Sequence, residues 1–217
     1  MSDTRLSMIG SRAVLFEANC PFDLAHQERV WALAKEASQW DGVSQAVPGM
    51  TNLTLLLSDV PQDLTRLQKD LTSLWVSAQR LEINGRLLEV DLTYGGEGGP
   101  HLADVAEMTG LSIDTVIKLH SAQDYTVYAV GSHAGYCYLG GLDPRLDTPR
   151  RKVPLANLPG GSLSVAGLQT GVSASAGPSG WNTIGSAKVS FFEPDRSPPA
   201  LLQPGDRIRF RPVGVMA

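Results

Sequence analysis

Tyr94-Gly95-Gly96-Glu97-Gly98-Gly99-Pro100 is the stretch that best predicts how this chain folds. Two more glycine-rich loops follow it, at residues 131–141 and 159–162. Glycine loses more conformational entropy on folding than other residues, so clusters of it mark positive φ angles or close approach of the backbone to a ligand or another segment. The three loops therefore predict that the functional half of the chain begins near Tyr94, with the preceding residues as its support.

The composition is that of an ordinary globular protein. Of 217 residues, 42% are hydrophobic and 18% are charged, which suffices for one large domain or two small ones. A formal net charge of -4 argues against binding to nucleic acid or to an anionic membrane. The sequence has no apolar signal region or membrane-span candidate, so we expect a cytoplasmic protein. Cys20 and Cys137 lie far apart, which predicts reduced thiols and no metal site.

The residues before Tyr94 predict a β-α-β-β-α-β order. Apolar residues recur with a helical period from Leu24 to Trp40 and again between Leu64 and Trp75. This order is that of a ferredoxin-like split unit, so we expect a scaffold or interface domain over residues 1–92. The strands are expected at residues 13–16, 43–47, 53–57 and 87–93.

Residues 93–217 are expected to form a second domain, which makes the chain an α+β protein. Two short helices at residues 100–109 and 113–120 precede many short strand-like runs separated by Gly and Pro. That pattern is typical of a β-barrel or sandwich. Residues 102–116 look like a helix-turn-helix, but the second helix offers only Lys118 as a cation, so we do not expect DNA binding. The strands are expected at residues 125–130, 163–165, 188–192 and 207–211.

Two titratable residues of this half have alternative interpretations. His120 shares a helix face with Val116 and Ile117, so it should point inward, either as a hydrogen-bonded core histidine or as a site residue. Glu97 lies between glycine pairs, where a carboxylate has little packing purpose. It is either part of a solvated turn or an acid/base group.

Anion binding is the other chemistry that the second half offers. Arg145 and Arg150 lie on a proline-punctuated loop, and a guanidinium binds carboxylate or phosphate at two points. The same residues are equally compatible with a solvent-exposed surface loop that binds no anion. The backbone amides of residues 160–162 fit an anion nest or a plain turn. The sequence has no Gly-x4-Gly-Lys-Ser/Thr loop and no Met-Lys pair for biotin, so any recognition of ATP or biotin is unorthodox or lies on a partner.

Short motifs run through the whole second half in a fixed order. They include Tyr94-Gly95-Gly96-Glu97-x-Gly99-Pro100, Leu119-His120, Tyr138-Leu139-Gly140-Gly141-Leu142-Asp143, Thr148-Pro149-Arg150, Gln169-Thr170-Gly171, Gly180-Trp181 and Pro204-Gly205-Asp206-Arg207. Their order and spacing resemble the family of the 5-oxoprolinase B subunit. That family also covers allophanate hydrolase subunit 1, the C and D subdomains of the urea carboxylase carboxyltransferase region, and a bacterial sporulation-kinase inhibitor.

The resemblance implies a ferredoxin-like domain followed by a cyclophilin-like β-barrel. It implies a second barrel-type subunit as partner, a small amide as substrate, and ATP bound with or by the partner. In the 5-oxoprolinase members, the assembled subunits open 5-oxoproline to glutamate. The resemblance also implies two catalytic residues, Glu97 and His120. The substrate contacts it implies are Tyr138, Arg145, Arg150, Ser162 and Gln169.

Two other functions stay open within the same family. One is a carboxyltransferase subunit of a biotin-dependent urea-type carboxylase, or allophanate hydrolase subunit 1. The other is a non-catalytic binding protein like the histidine-kinase inhibitor. Residues 132–139 lack two prolines of the family pattern, and Leu155 stands where an arginine is expected. Lost prolines soften a loop and a lost arginine removes an anion contact, so we expect either a changed substrate or reduced catalysis.

Overall fold

The chain divides into two units in a computed structural model that describes residues 4–216. One unit ends at Ile83 and the other begins at Asn84. The expected domain boundary after residue 92 instead falls within a strand of the second unit, Leu87–Gly95.

The first unit is an antiparallel sheet of four strands with two helices. Its elements are β1 (Thr4–Gly10), β2 (Ala13–Ala18), α1 (Leu24–Ala37), β3 (Val43–Pro48), β4 (Asn52–Leu57) and α2 (Leu64–Ser77). The strand order in the sheet is β1-β2-β4-β3. Each helix begins where an aspartate side chain accepts a backbone N–H, at Asp23 for α1 and Asp63 for α2. The predicted helices and the β3–β4 hairpin are therefore confirmed, and Leu33, Leu53 and Leu71 are fully buried in this unit's core.

The β-α-β-β-α-β order predicted for this unit is wrong. The observed order is β-β-α-β-β-α, because β1 pairs with β2 from Thr4↔Ala18 to Gly10↔Ala13 and takes the edge position. The strand predicted at residues 87–93 belongs to the second unit. Ser11 and Arg12 join β1 to β2 as a tight turn, and such a local pairing requires little loop closure. Sequence alternation identifies a strand without saying which sheet it joins.

The second unit is built around a closed barrel of seven strands. Its strand order is β10-β7-β6-β13-β5-β12-β9, and β8 and β11 form a separate two-stranded sheet. Short 3-10 helices lie at Gly96–Gly98 and Pro144–Leu146. The remaining elements are β5 (Leu87–Gly95), α3 (Leu102–Thr109), α4 (Ile113–Ser121), β6 (Asp124–Val130), β7 (Cys137–Gly140), β8 (Leu155–Leu158), β9 (Ser162–Ala166), β10 (Gln169–Val172), β11 (Gly177–Ser179), β12 (Asn182–Ala187) and β13 (Arg207–Met216).

One parallel pair closes the barrel. Strand β13 pairs with β5 from Arg207↔Leu87 to Met216↔Gly95, and its first residues also pair with β6 in antiparallel fashion. Large side chains such as Tyr94, Tyr125 and Phe210 are almost fully buried in the core of this unit. The prediction of a barrel is thus confirmed.

Helices α3 and α4 match the two predicted helices of this half within two residues at their ends. The left-handed residue Gly110 ends α3, and the Ser112 side chain caps α4. One predicted strand, at residues 188–192, is wrong because β12 ends at Ala187 and only Phe192 forms an isolated bridge. In the described part of the chain, no helix has the length and apolar character needed to cross a membrane.

We predict that Gly185→Ala destabilises the barrel while Gly177→Ala does not. A Cβ at residue 185 would lie 2.7 Å from the Thr93 carbonyl oxygen on the paired strand β5, whereas a Cβ at residue 177 meets nothing within 4 Å. Overpacking against backbone costs about 1–3 kcal/mol of unfolding free energy. Chemical denaturation of both variants measures this cost, and equal stabilities would contradict the observed β5–β12 register.

Candidate functional site

His120 lies inside the barrel and is fully buried. Its Nδ1 is 2.8 Å from the Tyr94 hydroxyl, and its Nε2 is 3.2 Å from the Thr170 hydroxyl. Burial lowers the pKa of His120 to about 3, so the ring is neutral at physiological pH.

The hydrogen bonds around His120 fix which ring nitrogen carries the proton. The Thr170 hydroxyl donates to the Ser164 carbonyl at 3.1 Å, so it can only accept from the imidazole. His120 Nε2–H therefore donates to Thr170, and Nδ1 accepts the Tyr94 hydroxyl proton. One directed chain of hydrogen bonds thus runs from β5 through α4 to β10 and β9.

Two aromatic rings pack against His120. Tyr125 and Phe210 stack on it at centroid distances of 5.1 and 5.4 Å. The Tyr125 hydroxyl also donates to the His120 carbonyl at 2.7 Å. With both nitrogens bonded and no exposure to solvent, the ring fits the core-histidine interpretation. The catalytic role that the resemblance implies for His120 stays a prediction, and this geometry does not favour it, because a buried neutral imidazole with both nitrogens occupied has no free atom for proton transfer.

The other predicted site residues fall into separate places. Glu97 is exposed on the 3-10 helix Gly96–Gly98. Gly98 of that helix lies against Ser186, which is the strand partner of Ser162. Arg145 is exposed, and Asp143 accepts bonds from its Nε at 2.9 Å and its Nη2 at 2.7 Å. The same contact lowers the pKa of Asp143 to about 2. The anion-binding fork of Arg145 is therefore already occupied.

Three of the predicted residues lie on neighbouring strands and turns. Tyr138 on β7 pairs with Gly171 on β10, two residues after Gln169. The turn that carries Arg150 is attached to the β9–β10 turn, because the Gly167 N–H donates to the Thr148 carbonyl at 2.7 Å. Tyr138, Arg150 and Gln169 thus lie on neighbouring segments, whereas Ser162 lies at the other end of β9.

The side chains around Arg150 form an aromatic cluster that we define as His133, Tyr136, Tyr138 and Trp181. Tyr136 and Tyr138 meet edge to face at 4.6 Å, and Trp181 lies 6.2 and 6.0 Å from them. The Arg150 guanidinium carbon is 6.0 Å from the Trp181 ring centroid, within the range of a cation–π contact. The cluster thus joins apolar ring faces to a cation.

Gly171 makes room for one of these rings. A Cβ at residue 171 would lie 2.5 Å from the Tyr136 hydroxyl oxygen, so any larger residue would displace that hydroxyl. Burial raises the pKa of Tyr136 well above its usual range. The hydroxyl therefore stays protonated and can donate a hydrogen bond at neutral pH.

A groove of about 740 Å³ adjoins this cluster, and we call it the basic groove. It is lined by Asp104, Glu107, Met108, Pro149, Arg150, Arg151, Lys152, Val153 and Asn182. The turn at residues 149–151 is held in place because the Asn182 side chain donates to the Pro149 carbonyl and the Arg151 N–H donates to the Gly180 carbonyl. These bonds fix Arg150 and Arg151 against the beginning of β12.

His101 lies next to two residues of the basic groove, Arg151 and Asp104, and sequence reasoning did not single it out. It is buried at the start of α3, where it exchanges two hydrogen bonds of 2.9 Å with the backbone of Thr183. Its Nδ1 accepts the Thr183 N–H, which leaves its proton on Nε2. Burial lowers the pKa of His101, Arg151 lowers it further, and Asp104 opposes them. The feature of the sequence that could have indicated His101 is its position directly after the first glycine loop.

Trp181, Tyr136 and Asn182 are also missed as site residues by sequence reasoning. Gly180-Trp181 is one of the recurring motifs, but nothing local indicates that Trp181 faces Arg150. Among residues 4–216, no group of three His, Cys, Asp or Glu side chains lies close enough together to hold a metal ion.

Comparison with known protein families identifies this fold. A family model described as the carboxyltransferase domain, subdomain C and D, matches residues 4–202. The chain belongs to this family. Members of known name include the 5-oxoprolinase B subunit of Escherichia coli O157:H7, which is 42% identical over 98% of this chain and 97% of that protein. The 5-oxoprolinase B subunit of Haemophilus influenzae is 36% identical over 95% of this chain and 97% of its own length.

Solved structures of the family carry the same fold. The crystal structure of TTHA0988 matches with a TM-score of 0.74 and 32% identity, and this chain covers 40% of that longer one. The conserved uncharacterized protein PH0987 from Pyrococcus horikoshii matches with a TM-score of 0.59 and 33% identity over 98% of its length. Urea carboxylase from Kluyveromyces lactis shares the fold at a TM-score of 0.83 and 17% identity, and this chain covers 22% of it.

We predict that His120 makes the folded state sensitive to acid. Because its folded pKa of about 3 lies below the ordinary value of 6.5, its contribution is present above pH 6.5 and is lost as the pH falls. The loss amounts to about 2 kcal/mol between roughly pH 7.5 and pH 5. A His120→Gln variant is expected to be less stable at neutral pH but to show a pH profile that is shallower by this amount.

Nitrogen NMR of the imidazole provides an independent check of the same assignment. The His120 signals are expected to remain those of the neutral Nε2–H form at about pH 5. Titration with a midpoint near 6.5 would contradict the sealed core around this ring.

Proposed function

We propose that this chain is a subunit of a 5-oxoprolinase-type enzyme that opens 5-oxoproline to glutamate with hydrolysis of ATP. The observation that carries the proposal is the 42% identity to a 5-oxoprolinase B subunit over nearly the full length of both proteins. The aligned region includes both units and the candidate site, so the similarity between the two proteins is one of sequence as well as of fold.

The chemistry of the candidate site supports a small cyclic amide that carries a carboxylate. In our proposal Arg150 binds the carboxylate, since no side chain of the described residues forms an ion pair with it. Trp181 and Tyr138 pack against the ring of the substrate. The Tyr136 hydroxyl and the Gln169 amide are donors available for charge that develops on the lactam oxygen.

His101 is the proton carrier that we propose in place of His120. It lies beside Arg151 and Asp104, and its Nδ1 is engaged by backbone, so only Nε2 is available to exchange a proton. Glu97 and Ser162 remain proposals as a second group, at the other end of β9 and β12. Arg145 can bind substrate only if its ion pair with Asp143 breaks.

The rest of the reaction is proposed to come from companion subunits. A second barrel-type subunit completes the site, and ATP is bound with or by that partner. The first unit is proposed to serve as scaffold or interface, and we expect the assembly in the cytoplasm.

A carboxyltransferase of the urea carboxylase type is the second candidate function. The fold shared with Kluyveromyces lactis urea carboxylase and the name of the family favour it. The two functions differ in their requirement for a biotin-carrying protein. Urea-dependent carboxyl transfer from carboxybiotin, with no turnover of 5-oxoproline, would decide for the second candidate.

An omission assay tests the lead proposal. Companion subunits of the 5-oxoprolinase type are purified and assayed, with and without this chain, for glutamate formation from 5-oxoproline and ATP. We expect turnover only when this chain is present. Turnover that is independent of this chain would reject the proposal.

We predict that Arg150→Gln lowers kcat/KM for 5-oxoproline about 10- to 100-fold in the assembled enzyme. Loss of a charge-assisted hydrogen bond costs about 1.5–3 kcal/mol, and most of the change should appear in KM because the carboxylate does not react. Arg66→Gln is the matched control, since Arg66 is exposed on α2 of the other unit. Equal kinetics of the two variants would remove Arg150 from the site.

A further inference from the structure

Arg151 in the basic groove has unused hydrogen-bonding capacity. Its Nη1 donates to the Asp104 carboxylate at 3.1 Å. Its Nε is buried without an acceptor among residues 4–216, and Nη2 has no acceptor there either. The Nε–Nη2 edge of a guanidinium is the fork that binds two oxygens of a phosphate or carboxylate. A buried donor without a partner costs free energy, and an anion at this edge removes that cost.

The charges of the groove favour an anion. Its lining holds the cations Arg150, Arg151 and Lys152 and the carboxylates Asp104 and Glu107. Asp104 is engaged by Arg151, whereas neither Arg150 nor Lys152 forms an ion pair with any residue of the described chain. The groove is therefore locally positive on a chain whose formal net charge is -4.

The groove is also larger than the proposed amide substrate requires. Its volume of about 740 Å³ lies within the range of sites for drug-sized ligands. It is continuous with the aromatic cluster, because Arg150 lines the groove and also contacts Trp181. A ligand in the groove would thus be adjacent to a substrate that occupies the aromatic cluster.

We propose that the basic groove binds phosphate, with the Nε–Nη2 edge of Arg151 holding two phosphate oxygens and Lys152 neutralising a third. The source of the phosphate is either a nucleoside triphosphate or free inorganic phosphate. The choice of a nucleotide rests on the proposed function, whereas the phosphate site itself rests on Arg151 and the groove. Asp104 orients the guanidinium through the hydrogen bond that it accepts from Nη1.

Calorimetric titration of ATP, ADP, inorganic phosphate and 5-oxoproline tests this proposal on the full chain and on its complex with the companion subunits. We expect saturable binding of at least one phosphate ligand. Arg151→Gln should weaken it about tenfold or more, and Lys152→Gln should weaken it less. The matched control Arg66→Gln should leave phosphate binding within about twofold, because Arg66 does not line the groove.

Two results would overturn the phosphate site. One is the absence of saturable phosphate binding in both the chain and the complex. The other is an equal loss of binding in the Arg151 and Arg66 variants at matched ionic strength. Thermal denaturation of each variant shows whether it is folded, and if Arg151→Gln is not, Lys152→Gln decides alone. Phosphate binding without turnover of 5-oxoproline would reject the proposed function and leave the site standing.

Binding by ATP alone would assign the site to a nucleotide, and equal binding by inorganic phosphate would assign it to the free anion. Binding by 5-oxoproline with none by any phosphate ligand would show a carboxylate site, and the proposal would be wrong.

Discussion

The parallel pairing of β13 with β5 is the constraint on which the second unit depends. It joins residues such as Arg211 and Asp91, 120 positions apart, and it closes the barrel between β6 and β12. A parallel pair requires a long crossover, and here all other strands of the barrel lie within that crossover. Because β5 is held between β13 and β12, the glycine loop that follows it delivers His101 to the backbone of Thr183 on β12.

The interior and the surface of the barrel have different chemistry. Inside, a neutral and fully buried His120 links β5, β10 and β9 through directed hydrogen bonds. Elsewhere on the unit, Arg150 and Trp181 adjoin a groove lined by cations. A rigid interior of this kind holds short segments from β7, β10 and β12 in fixed register, so a site assembled from their ends needs little reorganisation when substrate binds.

The sequence predicted most helices, because their apolar period and caps are local signals, and it predicted a barrel from the glycine-punctuated strands. It assigned β5 to the wrong unit, since its alternation fits either sheet and its partner β13 is distant in the chain. Spacing alone indicated correctly that His120 faces inward. The site residues stay a prediction. Arg150, Tyr138 and Gln169 lie on neighbouring segments. Nothing local could show that Arg145 is paired with Asp143, or that His101 contacts Thr183, 82 positions away.

The central claim is that the aromatic cluster and Arg150 form the substrate site of a 5-oxoprolinase-type assembly. The most direct test is an experimental structure of this chain assembled with its companion subunits in the presence of 5-oxoproline. We expect the lactam to pack against Trp181 and Tyr138, with its carboxylate on Arg150. A lactam bound wholly within another subunit, or at the Glu97 and Ser162 end of the barrel, would contradict it.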